Sequence, residues 1–419
     1  MTQQNQRRRF GLLGRRLGHS LSPQIHALFG SVPYALIELE PEALGPFLES
    51  RDFDGLNVTI PYKRSVMPYC AELTARAQAV GAINTIVKRA DGSLLGDNTD
   101  CIGFEWSLDA CGVDVRGAKC LVLGTGGASL AVRYALEARG AAEVVRISRS
   151  GPECYENIGR HADAKLVVNA TPVGMSPAVD ASPLTEAAWA SLPALEGAID
   201  LIYNPLRTAF LQAAAARGLR TENGLGMLVM QGKAAAERFL GRAVDAGEAS
   251  RALSRIRAGF ENIVLIGMPG AGKSTVAHLV AEQLGRPLVD ADAEIEARAG
   301  KSIPDIFAES GESGFRDAEA AVIADAAKRR GIVLATGGGA VLRPENRCRL
   351  RMNGFVVWLE RGLDVLASDG RPMTAAKGVK RLFDERAALY EAAADLRVRN
   401  VEGAPQAAAG EILAAFGRR

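Results

Sequence analysis

The chain has 419 residues, 48% of them hydrophobic, and its 50 basic against 48 acidic side chains leave a net charge of +2. That length allows two or three domains, each with a core of its own, and the near-neutral balance argues against a nucleic-acid or anionic-membrane partner. Six scattered cysteines form no C-x-x-C pair and have no histidine at metal spacing, which fits reduced thiols in a cytoplasm better than disulfides or zinc. Residues 1–9 are a polar tail whose Arg7-Arg8-Arg9 reads as solvated charge. The tail holds no apolar core of a signal segment, and no later apolar run is long enough for a membrane span. The expected location is cytoplasmic.

Along the chain, Arg9-Phe10-Gly11-Leu12-Leu13-Gly14 predicts a short strand entering a loop with Gly18-His19-Ser20-Leu21-Ser22-Pro23. In a strand-like backbone Ser20 and Ser22 point to one side and offer two hydroxyls to one anion. A helix N-cap at Ser22 followed by Pro23 explains the same residues, and both can hold. The run from Gly55 to Lys63 predicts an alternating strand that stops at Pro61 and presents a lysine beyond it, ordinarily a surface charge. Gly81-Ala82-Ile83-Asn84-Thr85 and Gly96-Asp97-Asn98-Thr99-Asp100 change that weighting, because their Asn, Thr and Asp side chains suit a polyhydroxylated molecule.

A buried strand over 117–123 ends in Gly124-Thr125-Gly126-Gly127-Ala128-Ser129 ahead of an Ala/Leu-rich helix. Glycines in such a turn let the backbone approach a pyrophosphate at the helix N-terminus, although Ser129 stands where the fingerprint has Gly or Ala. The next strand ends at Ser148-Arg149-Ser150. An acidic residue there would take a ribose diol, so Arg149 argues for a 2′-phosphate and NADP, a plain surface arginine being the alternative. Leu166–Asn169 and Ala198–Asp200 predict strands that break into polar, proline-bearing turns, as at the carboxyl edge of a parallel sheet. Asn223 opens an Ala-rich helix, and an amphipathic segment to about Gly259 follows with no Gly/Ser or Pro linker, which predicts tightly joined halves.

The strand Ile263–Ile266 then enters Gly267-Met268-Pro269-Gly270-Ala271-Gly272-Lys273-Ser274-Thr275, a complete G-x-x-x-x-G-K-[ST] loop followed by a helical pattern. Strand, glycine loop and helix in that order let backbone N–H groups wrap a triphosphate, with Lys273 on the β/γ oxygens and Ser274 on Mg²⁺. Asp290 and Asp292 leave the next strand, where alternation would face both to one side, one for Mg²⁺ and its waters and one for an acceptor hydroxyl. Gly337-Gly338-Gly339 at a later strand end suggests close approach to a ligand, or a flexible turn.

From about Phe10 to Arg257 the chain resembles shikimate dehydrogenase, with G-H-S-x-S-P, N-V-T-I-P-Y-K, G-A-I-N-T, G-D-N-T-D, G-T-G-G-A-S, N-A-T-P-V-G-M and G-L-G-M in the family's order. The resemblance implies an α/β fold: a substrate domain from residues 10–100 and 223–257 around a Rossmann-type NADP domain, 101–222. It implies that Lys63 and Asp100 are the catalytic pair, that Ser20 and Ser22 bind the substrate carboxylate, and that Thr59, Asn84 and Gln231 hold the ring, with Tyr203 nearby. Cofactor contacts are implied for Gly124, Gly126, Gly127, Ala128, Ser148, Arg149, Gly224 and Met227. Glu153 stands where NADP-using members commonly have a second basic residue, and it motivates an alternative: an NAD-linked quinate/shikimate dehydrogenase fused to a weak or regulatory kinase-like domain.

Residues 261–417 resemble shikimate kinase, a P-loop domain with a parallel sheet, through the phosphate loop, D-x-D, G-F-R, G-G-G, R-P and E-R-x-x-L-Y. By that resemblance Arg316, Arg386 and Gly337, Gly338 and Gly339 bind shikimate, and Asp292 takes the 3-hydroxyl. Gly270, Ala271, Gly272, Lys273, Ser274 and Thr275 hold ATP, Ser274 and Asp290 hold Mg²⁺, and Arg371 closes from the lid onto the transferring phosphoryl group. The lid from Leu366 to Arg371 is shorter than in many members, and Ala388 replaces a usual proline, so a looser hold on ATP or a different lid motion is expected with the chemistry retained. Together the resemblances imply a bifunctional enzyme. It would reduce 3-dehydroshikimate to shikimate with NADPH, then phosphorylate shikimate with Mg-ATP, with no nucleic-acid or membrane partner and a homodimer possible.

Overall fold

The computed structural model describes residues 9–18, 20–363, 366, 378–401 and 404–418. Short apolar runs punctuated by glycine, proline and asparagine form three sheets. The first contains β1 (Phe10–Gly14), β2 (Tyr34–Glu38), β3 (Gly55–Val58), β4 (Glu72–Leu73), β5 (Thr85–Lys88) and β6 (Leu94–Asp97), in the order β2-β1-β3-β5-β6-β4. β1 runs parallel to β2 and β3, whereas β5 is antiparallel to β3 and β6. The β5–β6 reversal turns on Asp91 and Gly92, the latter at φ 83°, a conformation glycine adopts without steric cost. β3 is buried at every position rather than alternating, because it is an interior strand covered on both faces.

The second sheet is wholly parallel: β7 (Lys119–Leu123), β8 (Glu143–Ile147), β9 (Leu166–Asn169), β10 (Gly197–Asp200) and β11 (Arg220–Glu222), in the order β11-β10-β9-β7-β8. Parallel neighbours require crossovers, and the helix Gly127–Ala138 supplies one, burying Ala131, Val132, Ala135 and Leu136. Two further helices, Asp100–Cys111 and Gly224–Leu240, approach through glycine. A Cβ on Gly103 would stand 2.4 Å from the Met227 carbonyl oxygen, and one on Gly226 would stand 1.9 Å from the Trp106 ring. Asp100 begins the first of these helices and Gln231 lies mid-way along the second, so this close packing sets where both side chains start.

The third sheet, also parallel, comprises β12 (Asn262–Ile266), β13 (Leu288–Asp290), β14 (Val333–Ala335), β15 (Gly354–Glu360) and β16 (Leu396–Arg399), in the order β13-β14-β12-β15-β16. Helices cover both faces. Val276, Ala277 and Val280 of the helix Lys273–Leu284 share a core with Ile263, Leu265 and Val357, while Val322, Ile323 and Tyr390 pack with Val264 and Val356. The long helix Ile303–Lys328 breaks at Gly311, whose φ of 66° and ψ of −171° are non-helical. By contact the chain forms two compact units: Met1–Tyr203 with Thr208–Ile256, and Asn204–Arg207 with Arg257–Arg419. No helix among the described residues is long and apolar enough to cross a membrane.

Candidate active sites

In the first unit a polar cluster gathers at the carboxyl ends of β3 and β6. Lys63 Nζ donates to Asp100 Oδ2 at 2.5 Å, and their side chains are only 19% and 12% exposed. Asn84 fixes the other carboxylate oxygen, its Nδ2 donating to Asp100 Oδ1 at 2.8 Å and to Gln231 Oε1 at 3.3 Å. The Asn84 Oδ1 in turn accepts the Thr99 backbone N–H at 2.7 Å and the Thr85 hydroxyl at 3.1 Å. Asp100 lies in the first turn of its helix, where the helix dipole favours an anion. A lysine and an aspartate 37 residues apart are thus brought together by a strand exit and a helix start.

Ser20 and Ser22 meet differently from the strand-like expectation. Ser22 is the first residue of the helix Ser22–Phe29, the cap position falling on Leu21, which makes no side-chain cap bond. The Ser20 hydroxyl accepts the Ser22 N–H at 3.2 Å, and the two Oγ atoms are 3.2 Å apart. The first-turn N–H groups lack helical partners, so Ser20 does the capping that was expected of Ser22. Thr59 leaves β3 with its N–H on the Leu13 carbonyl at 2.9 Å. Tyr203 lies in the segment that leaves β10.

A cavity of about 540 Å³ opens at the glycine turn, lined by Gly124, Thr125, Gly126, Ser148, Arg149 and Thr171 among others. Gly124 has a φ of 102°, while a Cβ on Gly126 or Gly127 would meet nothing within 4 Å, so the helix N-terminus faces open space. Ser129 accounts for its place in the fingerprint. It is wholly buried, and its hydroxyl donates to the Gly126 carbonyl at 2.7 Å, bracing the turn. Ala128 is partly exposed beside it. Gly224 and Met227 have packing surroundings: a Cβ on Gly224 would lie 2.0 Å from the Leu201 carbonyl, and Met227 belongs to the core around Phe104 and Val122.

The second unit has its own cavity, of about 470 Å³, lined by Gly270, Gly272, Lys273, Ser274, Thr275, Asp292, Arg316, Glu319, the glycines 337–339 and Arg386. Lys273 donates to the Gly267 and Met268 carbonyls at 3.0 and 2.9 Å, and the Ser274 hydroxyl donates to Asp290 Oδ2 at 2.6 Å. Ala271 is buried, its carbonyl taken by Asn400 at 2.8 Å. Asp290 and Asp292 do not both sit on a strand. Asp290 ends β13 and caps the helix Ala291–Ala299, receiving the Asp292 and Ala293 N–H groups, while Asp292 is in that helix's first turn. An aspartate cap satisfies orphan N–H groups that an extended backbone would leave open.

Burial pushes the Asp292 carboxyl above the usual carboxylate range, with Asp290 adding to the rise and Lys273 and Arg316 opposing it. Its Oδ1 has no hydrogen-bond partner among the described residues. Arg316 Nη1 donates to Glu319 Oε2 at 2.7 Å, both side chains being over nine-tenths buried, and Arg386 is 1% exposed. The three glycines are packed, not flexible. A Cβ on Gly337 would meet Asp292 Oδ1 and Glu319 Oε1 at 2.8 Å, one on Gly338 would meet Pro269 at 2.5 Å, and one on Gly339 would meet the Arg316 guanidinium at 2.2 Å. Arg371 and its lid neighbours from 367 lie outside the described residues.

Residues 12–86 match the family model described as shikimate dehydrogenase substrate binding domain. A shikimate dehydrogenase (NADP(+)) of Oleidesulfovibrio alaskensis is 45% identical over 254 residues, 56% of this chain and 88% of the relative. The chain belongs to the shikimate dehydrogenase family. A shikimate 5-dehydrogenase of Thermus thermophilus, solved in complex with NADP(H) and shikimate, aligns at TM-score 0.53 and 36% identity over 59% of this chain and 99% of its own. A chorismate mutase/shikimate 5-dehydrogenase fusion protein from Clostridium acetobutylicum aligns at TM-score 0.56 and 33% identity, covering 59% and 97%. Residues 269–416 match a second family model, shikimate kinase.

Several residues around both sites were not singled out from sequence. In the shikimate dehydrogenase half Asn57, Thr85 and Thr99 support Asn84, and Tyr34 donates to Asn57 Oδ1 at 2.8 Å. Only the density of Asn and Thr pointed there. In the kinase half Glu319 was signalled by its place three residues after Arg316 on one helix.

Next to the cavity at the glycine turn, Asn169 Nδ2 donates to Asp200 Oδ1 at 3.0 Å, and Asn169 Oδ1 accepts the hydroxyl of the cavity-lining Thr171 at 2.7 Å. Asp200 is wholly buried and also accepts from the Thr208 hydroxyl at 2.6 Å and the Ile202 N–H at 3.0 Å. Burial outweighs these bonds and pushes its pKa up to about 6. The folded state therefore holds a proton that the unfolded chain releases near pH 4. Stability from this group is full below that pH and declines until the folded group ionises near pH 6. Asp200→Asn mimics the protonated form, so its stability relative to wild type should rise by about 3 kcal/mol between pH 4 and pH 7 in urea denaturation. A pH-independent offset between the two proteins would contradict this.

Proposed function

We infer that this chain is a bifunctional enzyme of the shikimate pathway. Its N-terminal half is an NADP-dependent shikimate dehydrogenase that reduces 3-dehydroshikimate to shikimate, and its C-terminal half is a shikimate kinase that makes shikimate 3-phosphate with Mg-ATP. The observation that carries the reading is the largely buried Lys63–Asp100 pair, braced by Asn84, in a fold whose relatives are shikimate dehydrogenases.

Bound NADPH supplies the hydride. In our assignment Lys63 stabilises the charge that builds on the substrate carbonyl oxygen and donates the proton, while Asp100 orients Lys63 and accepts from a substrate hydroxyl. Gln231 shares Asn84's amide, which favours a role for both at the ring hydroxyls. The paired Ser20 and Ser22 hydroxyls suit the carboxylate, and Thr59 and Tyr203 complete the proposed substrate set. The open helix N-terminus at Gly126, Gly127 and Ala128 suits a pyrophosphate, and Arg149 and Ser148 at the exit of β8 suit the 2′-phosphate side.

In the kinase half, Mg-ATP supplies the phosphoryl group. Ser274 and Asp290 place hard oxygen donors 2.6 Å apart, which fits Mg²⁺. Asp292, buried with one oxygen unpartnered beside Lys273 and Arg316, is the proposed acceptor for the 3-hydroxyl proton. Arg316 and Arg386 are assigned to the shikimate carboxylate, with Gly337–Gly339 clearing space around it. Arg371 is assigned to the transferring phosphoryl group.

The domain extents we propose are 10–100 with 223–257 for the substrate domain, 101–222 for the NADP domain and 261–417 for the kinase. A reducing cytoplasm is the proposed compartment: no disulfide joins the six cysteines, and burial pushes the Cys101 and Cys120 thiols up to about 12. A homodimer through edge strand β2, where Leu36 is 41% exposed, is a further proposal, and a molar mass that stays at 44.3 kDa in light scattering would exclude it.

The assigned roles predict separable losses. Lys63→Ala should lower dehydrogenase turnover about 10²–10⁴-fold and leave kinase turnover within about twofold, and Asp292→Asn should do the reverse. Separate assays of NADP⁺ reduction with shikimate and of ADP release with shikimate and Mg-ATP check this. Loss of both activities in either variant, or of neither, would contradict the assignment.

A further inference from the structure

The loop after β8 brings two opposite charges close in sequence but sends them to different places. Arg149 is exposed and lines the cofactor cavity; among the described residues it pairs with no carboxylate. Four residues on, Glu153 returns beside it, because Gly151 at φ 119° turns the chain and the Ser148 N–H donates to the Glu153 carbonyl at 3.0 Å. A parallel bridge between Ser148 and Cys154 closes the same loop. The Glu153 backbone is therefore fixed one residue from Arg149, and only its side-chain torsions decide whether a carboxylate faces the cavity.

Those torsions are set by His161. Its Nε2 lies 2.8 Å from Glu153 Oε2, and its side chain is 8% exposed against 39% for Glu153. A carboxylate only accepts, so the imidazole nitrogen facing it carries the proton. The other ring nitrogen, Nδ1, is buried without a hydrogen-bond partner among the described residues. If Glu153 swung toward Arg149, Nε2 would lose its partner too and both nitrogens of a buried imidazole would stand unpaired, a cost that holds the carboxylate in place.

We propose that His161 is a specificity-determining positioning residue: by holding the Glu153 carboxylate away from Arg149, it keeps the Arg149 guanidinium available to a 2′-phosphate. The inference rests on the NADP reading of the site above. Released, Glu153 would neutralise Arg149 and repel the dianionic 2′-phosphate, while the uncharged 2′-hydroxyl of NAD would be little affected. The cofactor selectivity of this chain would then depend on a side chain that does not touch cofactor.

Calorimetric Kd values for NADP⁺ and NAD⁺ without substrate test this in the full chain, alongside kcat/KM and thermal melting of each variant. Wild type should bind NADP⁺ more tightly. His161→Phe should weaken NADP⁺ by about tenfold or more and NAD⁺ by about twofold at most. His161→Gln, which can still donate to Glu153, should fall between wild type and His161→Phe. Glu153→Gln alone should alter NADP⁺ by about twofold at most, and added to His161→Phe it should restore NADP⁺ binding. The inference is overturned if His161→Phe weakens both nucleotides equally, or if Glu153→Gln alone tightens NADP⁺ about tenfold, since Glu153 would then already face the phosphate. A wild-type preference for NAD⁺ overturns the NADP reading and this inference with it. A wild-type NADP⁺ preference whose size is unchanged in His161→Phe overturns the inference alone.

Discussion

An ionised side chain taken out of water must be paired and hydrogen-bonded, and both candidate sites are built around that constraint. Lys63 and Asp100 neutralise each other at 2.5 Å, and Asn84 satisfies the carboxylate oxygen that Lys63 leaves open. Arg316 and Glu319 do the same at 2.7 Å in the kinase half. In the kinase cavity, Asp292 Oδ1 and Glu319 Oε1 have no hydrogen-bond partner among the described residues. Burial raises both of these carboxyls, so the cavity holds groups biased toward carrying a proton and flanked by cations that oppose the bias. A base that must take a hydroxyl proton and later release it needs such a balance.

Glycine sets the positions of these charges. Gly337, Gly338 and Gly339 leave the space that Asp292, Pro269 and Arg316 occupy, and any Cβ there would displace one of them. Gly103 and Gly226 play the same part for the helices that start at Asp100 and carry Gln231. The glycines at 337–339 and at 103 and 226 thus act through excluded volume more than through flexibility.

Much of this was legible in the sequence because it is local. The strand-loop-helix order around Lys273 and Ser274, the glycine turn after β7 and the carboxyl-edge turns after β9 and β10 follow from short-range pattern and turn chemistry. Less legible was what depends on partners distant in sequence. Alternation failed for β3 because tertiary cover on both faces overrides a period of two. Ser22 could not be told from a cap without knowing that the Ser20 hydroxyl folds back onto its N–H. The Asp290 and Asp292 pair was read as strand because nothing local marked Asp290 as the cap of the next helix. Glu153 was read only as a carboxylate standing where NADP-using members commonly have a basic residue, a motive for NAD. Its partner, His161, is eight residues away across a turn, at no spacing that a helix or strand would mark.

The central claim is that one chain carries two consecutive activities. Supplying purified protein with 3-dehydroshikimate, NADPH and Mg-ATP, and following NADPH consumption and shikimate 3-phosphate together, tests it most directly. The account predicts that NADPH falls and shikimate 3-phosphate appears. NADPH consumption with shikimate accumulating unphosphorylated would contradict it.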